Sequence, residues 1–110
     1  MSAGWKVLKR APAVLALVSF VAGADETVSV DIQGYKYVPD EVKIRVGDTV
    51  KWTNREKRTS HSVLFPAENG LESERLFPDE SWERRFTKAG RYDYTCTPHP
   101  EMKGVVIVGE

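Results

Sequence analysis

Beyond residue 24 the apolar positions recur every second residue, in short runs separated by turn residues, with no heptads and no internal repeat. Val28, Val30 and Ile32 alternate with polar neighbours as in a half-buried strand. Gly34 interrupts, and Tyr35, Tyr37 and Val38 follow before Pro39-Asp40 turns the chain. Val42, Ile44 and Val46 alternate with Lys43 and Arg45, and Gly47-Asp48 separates them from Val50-Lys51-Trp52-Thr53, which predicts a hairpin. Asn54 to Ser60 reads as a charged connection, and His61 opens the run Val63-Leu64-Phe65 that Pro66 ends. Residues 67–80 read as a surface loop with one short helical turn near Leu71 to Arg75. Trp82 and Phe86 mark a further strand. Tyr92, Tyr94 and Cys96 share one strand face, and Val105 to Val108 forms a continuous apolar strand. Six to eight strands at this spacing predict an all-β Greek-key sandwich or barrel. Trp52 and Trp82 are expected in its core. Tyr92 is either one more core ring or a tyrosine corner.

The first residues carry a different pattern. Lys6, Lys9 and Arg10 precede the apolar run Ala11 to Ala22, and Ala22-Gly23-Ala24 has the small-residue spacing of a signal-peptidase site. The run is shorter than the roughly 20 residues of a spanning helix, which favours a cleaved leader, 1–24, over a membrane anchor. The expected mature domain is 25–110, exported to a bacterial periplasm. Removing those three cations changes the formal charge from 0 to −3. No clustered basic surface suited to nucleic acid is visible.

Export changes the meaning of the cysteine count. A single cysteine, Cys96, makes no internal disulfide, so it pairs outside the chain, stays a free thiol, or binds a metal. Its surroundings favour metal. Cys96-Thr97-Pro98-His99-Pro100-Glu101-Met102 places a thiol, an imidazole and a thioether at steps of three in one loop. One thiolate, two imidazoles and a weak thioether make the donor set of an electron-transferring copper site. The chain has two histidines, so the missing imidazole is His61. Met102 is a poor ligand for structural zinc but suits the long axial bond of copper–thiolate chemistry.

The block Gly90 to Gly104, with Cys96, His99 and Met102 inside it, resembles the copper loop of the cupredoxins. The two-residue gap between His99 and Met102 is similar to the amicyanin form of that loop, whereas plastocyanin and pseudoazurin relatives usually have a longer gap. The resemblance implies one copper per chain, ligated by His61, Cys96, His99 and Met102. It also implies that the backbone N–H of Ser62 donates to the Cys96 sulfur. Pro98, having no N–H, adds no second donor. Many relatives carry Asn after the first histidine, and Ser62 in its place leaves open whether a side chain clamps the loop. The resemblance further makes His99 the solvent-facing ligand through which electrons pass. In reduced protein, where three ligands suffice, a proton on His99 would raise the potential as pH falls.

The function expected from this is that of a monomeric shuttle, not an enzyme. It would run between a dehydrogenase, such as an amine dehydrogenase, and a cytochrome c or oxidase. Copper delivery, storage or resistance is the alternative. Exposed Met or His clusters for hand-over are missing, since Met102 and Met1 are the only methionines. Hydrolysis by a Cys96–His99 pair is a third reading, but no acid with convincing spacing orients it.

Overall fold

The computed structural model describes residues 25–110. The expected leader lies outside the described residues. Among these, nine strands form two sheets: β1 (Thr27–Gln33), β2 (Lys36–Val38), β3 (Glu41–Arg45), β4 (Thr49–Asn54), β5 (Leu64–Phe65), β6 (Leu71–Glu72), β7 (Ser81–Arg85), β8 (Gly90–Thr95) and β9 (Lys103–Gly109). One sheet has the order β2-β1-β4-β7 and the other β3-β9-β8-β5-β6. The result is the all-β sandwich expected from the alternation, with one strand more than the upper count. No helix among the described residues is long and apolar enough to cross a membrane.

Alternation translates directly into burial. Val42 and Ile44 of β3, Val30 and Ile32 of β1, and Val50 and Trp52 of β4 all point into the space between the sheets. Trp52 is fully enclosed, and its ring centroid lies 5.3 Å from Tyr94 and 5.5 Å from Trp82, which is itself half-buried on β7. Tyr92 is a corner tyrosine: its hydroxyl donates to Lys88 O at 2.7 Å, four residues upstream.

Two sequence expectations are corrected. The runs on either side of Gly47-Asp48 do not form a hairpin. β3 pairs in parallel with β9, while β4 pairs in parallel with β1 and antiparallel with β7. The turn therefore carries the chain from one sheet to the other. The Asp48 carboxylate holds it there, accepting the N–H groups of Glu26 (2.9 Å) and Arg45 (3.0 Å). Period-2 alternation states which face is buried, not which strand is the neighbour.

Leu71 to Arg75 is not helical either. A single 3-10 turn occupies Pro66–Glu68, where proline pre-sets the first φ. Asn69 and Gly70, both left-handed, then send β6 back to pair with β5. β8 meets β9 with Tyr94 opposite Gly104. A side chain at Gly104 would overlap the Tyr94 ring, so this glycine is required by close packing.

Candidate metal centre

The sandwich gathers Cys96, at the end of β8, and the loop from Cys96 to Met102 at one pole. Two backbone bonds shape the loop, from His99 N–H to Cys96 O (3.2 Å) and from Met102 N–H to His99 O (2.9 Å). The Thr95 hydroxyl lies within hydrogen-bond distance of the carbonyls of Pro100 (2.8 Å) and Met102 (2.5 Å), closing the loop on its own strand. Proline on both sides of His99 narrows the backbone further. The loop therefore presents His99, half-buried, above a buried Cys96 and a buried Met102.

His61 arrives from the opposite side. It sits in a two-residue antiparallel bridge, donating its N–H to Leu76 O (3.0 Å) and accepting from Leu76 N–H (2.8 Å). Its ring is fully buried, and Nε2 faces Glu56 Oε1 at 3.3 Å. A proton on Nε2 directed at that carboxylate leaves the Nδ1 lone pair facing Cys96 and His99. Burial pushes the imidazole below its ordinary pKa of 6.5, and the nearby His99 adds to this. The bond to Glu56 offsets part of the shift. A neutral ring is the form that ligates.

The sequence-identified trio thus converges. Cys96 Sγ is 3.6 Å from His61 Nδ1 and 3.7 Å from His99 Nδ1, and the two Nδ1 atoms are 3.2 Å apart. A triangle with those sides has a circumradius of about 2.0 Å, close to the bond a first-row metal makes to imidazole nitrogen. Facing lone pairs on two imidazoles, beside a buried thiol, are poorly satisfied by one another and well satisfied by a cation. The group fits a metal, and its sulfur-and-imidazole chemistry fits copper.

Around the donors the hydrogen bonding is specific. Ser62 N–H donates to Cys96 Sγ at 3.3 Å, and Pro98 has no N–H to offer. The clamp left open by Ser62 is present: its hydroxyl oxygen accepts Thr97 N–H at 3.0 Å, so a shorter side chain still ties the loop to the His61 strand. The Tyr37 hydroxyl donates to Ser62 O at 2.6 Å in the interior, and burial raises its pKa.

Two residues at the site were not singled out by sequence reasoning. Glu56 lay in what looked like a solvated connection. Its position depends on buried Asn54, which accepts Glu56 N–H (2.8 Å) and donates to the carbonyls of Thr59 (2.8 Å) and Leu76 (2.9 Å). An acid five residues before the histidine was the available signal. Tyr35 looked like an ordinary strand residue, yet its ring packs against both imidazoles.

A two-sheet β-sandwich with a triangle of one thiol and two imidazoles at one pole is the architecture of a cupredoxin-type copper protein. The chain belongs to the plastocyanin/azurin family of copper binding proteins, whose family model matches residues 24–109. It is 44% identical over 89 residues to amicyanin of Paracoccus denitrificans, covering 77% of this chain and 67% of that protein. To amicyanin-alpha of Methylorubrum extorquens it is 37% identical over 105 residues, covering 84% and 87%. Among solved structures, it is similar to an amicyanin variant in its Cu(I) form, with a TM-score of 0.73 and 42% identity over 81% of this chain and 88% of that one. A variant of amicyanin in the oxidised state matches equally well, with a TM-score of 0.73 and 41% identity over the same shares. The chain is a copper binder of this family, with His61, Cys96 and His99 as its ligand group and Met102 nearby.

Proposed function

We propose that this chain is a one-electron carrier. His61 Nδ1, Cys96 Sγ and His99 Nδ1 would hold a single copper ion, and Met102 would be its weak fourth donor. The observation that carries this is the donor triangle, whose size suits a metal without rearrangement. Bound copper supplies the Cu(II)/Cu(I) couple. The residues supply constancy of shape: His61 is locked by its bridge and Glu56, Cys96 by β8 and the Ser62 N–H, and His99 by its two prolines. A donor set that moves little between oxidation states keeps reorganisation small. One N–H on the sulfur, with none from Pro98, leaves electron density on the thiolate and favours the Cu(II) state.

His99 is the ligand nearest solvent, so electrons enter and leave by its exposed edge. Four donors around one ion leave no position for a substrate, which supports a carrier and not an enzyme. Two of the three ligands, His61 and Cys96, are fully buried, which is a poor arrangement for passing copper to another protein. We place the chain in the periplasm after loss of residues 1–24, as a monomer. It would take electrons from a dehydrogenase, such as an amine dehydrogenase, and give them to a cytochrome c or oxidase; the amicyanin-type loop supports that choice.

Titrating metal-free protein with Cu(II) tests the proposal. The expected result is one equivalent bound with an intense blue absorption, bleached by ascorbate and restored by ferricyanide. A colourless complex, or colour that does not cycle, would overturn it.

A further inference from the structure

Gly34 and Tyr35 are the two central residues of the tight turn between β1 and β2, where Gln33 pairs with Lys36. Both are left-handed, with φ of +64° and +58°. Such turns favour Asn-Gly or Gly-Gly, and a bulky aromatic at φ > 0 is strained. The ring gains little from the core in compensation, being 47% exposed. Instead it stands nearly perpendicular to both imidazoles, with centroids 5.4 Å from His61 at 88° and 4.9 Å from His99 at 80°. Two tethers hold it there. Tyr35 N–H donates to Glu56 Oε1 at 2.8 Å, the same oxygen that faces His61 Nε2, and its hydroxyl lies 3.1 Å from Thr59 Oγ1. Backbone strain that persists beside a site is a reason to look for a role there.

We propose that Tyr35 is a positioning residue for the metal centre, its ring holding His61 and His99 side by side and hindering His99 from swinging out to solvent. The inference rests on the copper reading above. A strained turn is tolerated because the ring it delivers spans the gap between a ligand on the buried side and a ligand on the loop. Among the described residues no other aromatic side chain packs against both imidazoles.

The test compares Tyr35→Gly and Tyr35→Phe with the parent in the full chain. Glycine relieves the turn, so metal-free Tyr35→Gly should unfold at the parent's temperature or above. Its copper(I) should nevertheless pass to bicinchoninate about tenfold faster, as two lost edge contacts would allow, and its blue spectrum should shift. Tyr35→Phe should keep the parent's release rate and spectrum. Parental release and colour in Tyr35→Gly would overturn the proposal, as would a marked fall in its metal-free unfolding temperature, which would make the role merely structural. Release from Tyr35→Phe as fast as from Tyr35→Gly would also overturn it, assigning the effect to the Thr59 contact. If the parent itself forms no blue complex, the copper reading fails first; if the parent does and the variants do not differ, only this inference fails.

Discussion

His61 and His99 offer the same nitrogen to the same point, yet they are held by opposite means. His61 is fully buried, bridged through its own backbone to Leu76 and turned by Glu56. His99 is half-buried on a loop, held by the turn hydrogen bond to Cys96 and two prolines. One ligand is part of the sandwich, and the other is added to it. The difference teaches that such a site can be rigid and still have an open side: rigidity comes from the buried half, access from the loop half. Ser62 joins them, with its N–H on the Cys96 sulfur and its hydroxyl on Thr97.

The comparison can be broken most severely by removing donors. Cys96→Ala should abolish the blue complex, read by absorption after Cu(II) addition. His61→Gly and His99→Gly should both lose it, but added imidazole should restore colour only to His99→Gly, because its vacancy opens to solvent. Restoration in both would show that the two sides are equally accessible.

Next in size is the orienting carboxylate. Glu56→Ala frees the His61 ring and should weaken copper binding by about 10–100-fold, the usual cost of losing a partner that orients a ligand. Competition with a chelator measures it. Glu56→Gln, whose amide oxygen still accepts, should recover part of the loss.

Ser62→Ala removes one neutral hydrogen bond between the halves and leaves Thr97 N–H without it. The expected cost is about 1 kcal/mol of metal-free stability, read by urea denaturation. The Ser62 N–H to Cys96 survives, so the colour should change little.

The smallest effect concerns pH. Burial depresses the His61 pKa, so the unfolded chain takes up its proton first as pH falls below about 6.5. Stability of the metal-free protein is therefore fully present above that pH and declines below it. Asp48 and Glu68, whose carboxyl groups are lowered by backbone hydrogen bonds and by Arg84 respectively, add their losses only at more acidic pH. Urea midpoints measured between pH 8 and 5 should fall in the parent and fall less steeply in His61→Asn. Equal slopes would remove His61 as the cause.

Sequence reasoning reached the site further than it reached the sheets. Cys96 and His99 were legible because two donors on one loop are local in sequence, and His61 because no other histidine competes. Glu56 and Tyr35 were not, since their bond to one another spans 21 positions and neither carries a motif. Asn54 looked like the start of a charged connection, yet it ends β4 and its buried amide shapes the segment that presents Glu56.

The alternation of Val42 with Ile44 and of Val50 with Trp52 determined, without any coordinates, that these segments are strands with one buried face. The spacing from Cys96 to Met102 likewise determined which chemistry the chain offers. Only the tertiary structure decided that β3 lies against β9 and β4 against β1. It alone turned His61 with Glu56 and laid Tyr35 across two imidazoles. The physical reason is that periodicity and ligand spacing are properties of neighbouring residues, set by backbone geometry. Pairing partners and ring orientations are instead settled by which distant groups satisfy one another when water is excluded.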